Sequence, residues 1–74
     1  MNISLEPNII LNNIENKILN KMTQAELSRK LKIKPQSLIV TLKNLKAGKG
    51  CRTTTIIKIA AAGDVECVEL LKVE

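Results

Sequence analysis

The chain has 74 residues, with 12 Lys and Arg against 7 Asp and Glu, a formal net charge of +5, no His and no aromatic residue. That is one small domain, residues 1–74, with 45 % apolar residues to form a core and no room for a separate effector domain, so no small-molecule effector is expected. The missing His removes the commonest general base and metal ligand, and the missing aromatics remove the stacking platform used on single strands, so no cofactor and no metal are expected.

In chain order, Pro7 suits the first turn of a helix, where its absent N–H costs nothing. Ile10, Leu11, Ile14 and Ile18 then share one face, and Asn12, Asn13, Asn16 and Lys17 take the other. Asn20 is expected to end this helix in the left-handed conformation. Thr23-Gln24-Ala25-Glu26 has the form of a capping box, and Met22 and Leu27 stand at the two positions of a hydrophobic staple. A second helix, Gln24 to about Leu31, follows. After Lys32-Ile33-Lys34, Pro35 opens a third, which turns Leu38, Leu42 and Leu45 inward and Gln36, Ser37, Ile39, Val40 and Lys43 outward.

Lys46-Ala47-Gly48-Lys49-Gly50 reads as a flexible cationic loop. Thr53, Thr54 and Thr55 can cap a fourth helix, Ile56 to Ala62, with Gly63 as its stop. The tail from Asp64 to Glu74 fits a strand through Val65, Cys67, Leu71 and Val73, with Glu69 the one breach. It also fits a helix pairing Cys67 with Leu70 or Val68 with Leu71. The strand is preferred, because three Val and a Cys suit extended chain. Cys51 and Cys67 read as free thiols, since two thiols without His cannot complete a zinc site. No apolar run approaches the ~20 residues of a membrane span and the start lacks a signal-peptide pattern, so a soluble cytoplasmic protein with no membrane partner is expected.

The charge is unevenly spread. Residues 1–20 sum to −1, residues 21–58 to +9 and residues 59–74 to −3. Ten cations with Glu26 as the lone acid make the middle segment a polyanion-binding composition. Inside it, residues 24–43 have the form of a helix-turn-helix unit: a short helix, a three-residue turn and a second helix. In such units the first helix braces on the sugar-phosphate backbone and the second lies in the major groove. Leu27, Leu31, Ile33 and Leu38 are the apolar residues expected to pack the two helices together.

Met22-Thr23-Gln24-Ala25-Glu26-Leu27-Ser28-Arg29-Lys30-Leu31, followed by Lys34-Pro35-Gln36-Ser37-Leu38, resembles the phage-repressor-like (XRE/Cro-type) helix-turn-helix family. Ile56-Ile57-Lys58-Ile59-Ala60 with Gly63 resembles that family's fourth helix and the glycine after it. The resemblance implies a mainly α, lambda-repressor-like domain of four or five helices. It also implies an operator-binding transcriptional regulator, a repressor acting as a homodimer on double-stranded DNA. In Cro-type members a C-terminal β segment pairs across the dimer, which is the role expected of residues 65–73 if they form a strand. Lys32 stands where the family has Gly in the turn, at a cost of ~1 kcal/mol if its φ is positive. Lys34 replaces the Ser or Thr that caps the recognition helix, which costs ~0.5–2 kcal/mol. Both departures put a cation at a structural position.

The DNA-binding residues expected are Gln24, Lys34, Gln36, Ser37, Val40, Lys43, Lys46 and Lys49. Gln24 matches the phosphate-facing start of the bracing helix. Gln36 and Ser37 match base-facing positions; Gln bonds adenine bidentately, and Val40 suits a thymine methyl. The four Lys are phosphate contacts. No enzyme is expected: neither Cys has a His partner, and Gly48-Lys49-Gly50 lacks phosphate-loop spacing. The alternative is a protein-interaction module, antitoxin-like or anti-repressor-like, with Ile39 and Val40 as its binding patch.

Overall fold

A computed structural model describes residues 3–73. They form five helices: α1 (Pro7–Lys17), α2 (Gln24–Leu31), α3 (Pro35–Lys46), α4 (Thr53–Ala62) and α5 (Cys67–Leu71). α1 packs against α3 and α5, α2 against α3 and α4, and α4 against α5. Each helix turns its apolar stripe inward. Ile10, Ile14, Ile18, Leu27, Leu38, Leu42, Leu45, Ile56, Ile59, Ala60 and Leu70 form one buried cluster. Each large side chain there contributes ~1.5–3 kcal/mol against exposure, most of it offset by chain entropy.

Thr23 caps the start of α2, forming one half of the capping box, while the Glu26 carboxylate accepts from the Thr23 hydroxyl at 3.4 Å. The Glu26 N–H donates to the Thr23 hydroxyl at 3.1 Å. Met22 packs on the core beside buried Leu27. α2 ends on Lys32 at φ 59, the left-handed conformation expected of this turn. Lys34 caps α3 with extended backbone and no side-chain hydrogen bond.

Four local expectations are corrected. α1 ends at Ile18 in right-handed geometry, so Asn20 is not a left-handed stop; among the described residues the non-glycine left-handed positions are Lys32 and Asp64. Asn13 is buried, not solvent-facing. Ile33 is 40 % exposed, leaving Leu27 and Leu38, with Leu31 beside them, to join α2 to α3. α4 begins at Thr53 with Arg52 as its cap residue and no side-chain cap. Gly63 closes α4 as expected, at φ −84, and the left-handed step follows on Asp64 at φ 58. Glycine is needed at 63 for space: a Cβ there would lie 2.5 Å from Ile18 Cδ1 and 2.6 Å from its Cγ1.

The C-terminal strand is the larger correction. Residues Cys67–Leu71 are helical, and the only β pairing among the described residues is an isolated antiparallel bridge, Ile3 to Lys72. A helix lets Leu70 bury completely while Cys67 and Leu71 pack beside it. The short extended end after it has both edges occupied. The Asn13 side-chain amide donates to the carbonyls of Leu70 and Lys72 at 2.8 and 2.9 Å. On the other edge, the Ser4 N–H donates to the Leu71 carbonyl at 2.7 Å. Lys17 Nζ adds bonds to the Glu69 carbonyl and carboxylate at 2.9 and 3.0 Å. Among the described residues, the carbonyls of Leu70, Leu71 and Lys72 that a Cro-type strand pairing between copies would use are thus already bonded within the chain.

Candidate nucleic-acid interface

α3 has 12 residues and is ~18 Å long. At ~100° per residue, buried Leu38, Leu42 and Leu45 define its inner side. Gln36, Val40 and Lys43, at i, i+4 and i+7, fall opposite. All three are exposed, Val40 to 55 %. Ser37 is exposed beside them, and its carbonyl accepts from Thr41 Oγ1 at 3.0 Å. The inward Leu spacing thus fixes an outward edge of amide, hydroxyl, branched aliphatic and ammonium groups, with no acid.

On one flank of this edge, Gln24, Ile39, Lys43 and Lys46 line a shallow depression of about 200 Å³, together with Leu11, Glu15, Leu19 and Leu42. α1 and α3 form its walls, and the start of α2 closes one end. Gln24, remote in sequence from Lys43 and Lys46, therefore borders the same depression as they do. Gln24 is the first residue of α2, where backbone N–H groups lack helical partners and favour an anion. Lys43 and Lys46 lie in the last turn of α3, where cations also complement the helix dipole. Lys34 and Lys49 bracket α3 at its two ends, both exposed. The structure does not bring these two into the depression.

All ten cations of residues 21–58 are exposed, and none has an ion pair within the described residues. The ion pairs found there join Lys17 and Lys72 to Glu69. The cations do not form a single patch. Arg29 and Lys30 lie with Glu26 on the outer side of α2, and Lys30 and Lys58 share the flank between α2 and α4. Sequence spacing could not foretell this division, because it depends on how α4 packs on α2. Nor could it show that Glu15 and Leu19 of the first helical region border the edge of α3.

The half-buried Cys51 thiol is pushed up by burial, the opposite of an activated thiolate. Among the described residues, no cluster of three His, Cys, Asp or Glu could hold a metal ion, and no helix is long and apolar enough to cross a membrane. Compared with known protein families, curated proteins and solved structures, the chain matches none.

Proposed function

We propose that this chain is a sequence-specific double-stranded DNA-binding regulator of transcription, a repressor that binds its operator as a homodimer. The observation that carries the reading is the outward edge of α3. It holds Gln36, Val40 and Lys43 without an acid, and it adjoins unpaired cations from a segment of net charge +9. Gln24, Lys43 and Lys46 hold phosphates, Gln36 and Ser37 reach base edges, and Val40 meets a thymine methyl. Lys34 and Lys49 grip the backbone at the two ends of α3. Lys32 and Lys34 support the same reading, since one occupies left-handed backbone and the other fails to cap α3.

Selection of bound duplexes from a random pool tests the proposal. The expected product is an inverted repeat with half-sites about one helical turn apart. Gln36→Ala should then change the preferred sequence, while Lys46→Ala weakens all sequences alike. A pool that shows no enrichment overturns sequence-specific binding. The exposure of Ile39 and Val40, 39 % and 55 %, favours a second reading, a protein-interaction module. Under that reading Ile39→Asp abolishes partner capture and random DNA binds as well as any.

A further inference from the structure

Two depressions adjoin on the flank where α2, α4 and one side of α3 meet, sharing Leu31 and Lys58, with Leu38 and Thr41 of α3 lining the second. One, of about 310 Å³, runs over Lys30 and Ala62; the other, of about 210 Å³, runs over Ile33 and Ile59. Together they make a groove with an aliphatic floor and a cationic rim. Lys30 and Lys58 are exposed and have no ion pair within the described residues, and no Asp or Glu lines either depression. Ile33, at the mouth, is 40 % exposed. None of Gln24, Gln36, Val40, Lys43 and Lys46 lies in this groove, so its cations are outside the DNA edge proposed above.

We propose that this groove docks an acidic amphipathic segment of another protein. Apolar side chains on one side of that segment fill the floor, and carboxylates along its border meet Lys30 and Lys58. The apolar anchors supply affinity; the charges set orientation and association rate. Charge complementarity selects this occupant. A duplex would use the two ammonium groups but gain nothing from the aliphatic floor. A second copy of the chain could not enter with its acidic helix α5, because that segment keeps Leu70 buried, Cys67 and Leu71 packed on its own core, and Glu69 bonded to Lys17 and Lys72.

The test is an NMR titration of the isotope-labelled full chain with a synthetic helical peptide that places Leu on one side and Glu on the others. A control peptide has every Leu replaced by Gln at equal charge. Saturable amide shifts at Leu31, Ile33, Thr55, Lys58 and Ala62 are expected, with the control weaker by roughly tenfold. Lys58→Glu and Ala61→Glu, each with an otherwise unchanged amide spectrum, should weaken the peptide by roughly tenfold, while Lys43→Glu leaves it bound. Equal binding of the control, or shifts centred on Gln36, Val40 and Lys43, overturns the proposal. So does a loss of duplex binding in Lys58→Glu as large as in Lys43→Glu, which would assign the groove to nucleic acid. A dimer dissolved by Ala61→Glu would assign it to a second copy. Peptide binding is read without DNA, so failure of the DNA reading would leave this result standing.

Discussion

Asn13 shows how one polar side chain can fix the course of a chain end. It is 4 % exposed and supplies both protons of its amide to carbonyls some 57 and 59 residues away. Asn13→Ala leaves those carbonyls without a partner and should cost about 2 kcal/mol in urea unfolding. Asn13→Asp should cost more, because a carboxylate turns acceptors toward acceptors in a buried site. Gly63 makes the complementary point about space. Its φ suits any residue, yet Ile18 is fully buried against it and cannot retreat. Gly63→Ala should therefore lower stability by about 1–3 kcal/mol in the same measurement.

α3 carries a structural cost at its start. Lys34 gives α3 no side-chain cap. Lys34→Ser should add about 1 kcal/mol of stability by thermal unfolding and lower DNA affinity. A more stable variant with unchanged affinity would remove the functional reason for that lysine. α5 is short, and an ion pair adds to the hold that Leu70 and Asn13 give it on α1. The hydrogen bond from Lys17, with the nearby positive charge of Lys72, holds the Glu69 carboxyl below its ordinary value of 4.5. A depressed folded value means the contribution is complete above 4.5 and is lost as pH falls through the folded value. Glu69→Gln should accordingly lose less stability than the parent chain between about pH 6 and about pH 3, measured by denaturant titration. The effect is small, because the pair is solvent-exposed and screened.

At the scale of the molecule, cations of the basic segment lie on separate surfaces, Lys43 and Lys46 at the edge of α3 with its α1 flank and Lys30 and Lys58 at the groove bordered by α2 and α4. Only the first is assigned to the duplex. If about six phosphates are neutralised per dimer, log K should fall against log[salt] with a slope of roughly −5. Binding at two or more salt concentrations measures it, and a flat response would leave the cations of α3 without a polyanion. Removing Lys58 should leave this slope unchanged, whereas removing Lys43 should reduce it.

The helices were legible in the sequence wherever local chemistry suffices. Pro7, the Thr23–Glu26 box, Pro35 and the three-to-four spacing of Leu38, Leu42 and Leu45 each act within a turn or two of chain, so α1, α2 and α3 begin where those residues say. The outward edge of α3 was legible for the same reason, since fixing the buried side of a helix fixes its opposite. The tail was not. Its alternation of apolar residues is satisfied by strand or helix, and the choice rests on Leu70 finding a cavity and Asn13 finding its carbonyls, contacts made across more than fifty residues. The two-sided placement of the cations and the steric need for Gly63 beside Ile18 were decided in the same way. Each depends on which helix lies against which, and spacing along a single helix carries no record of its neighbours.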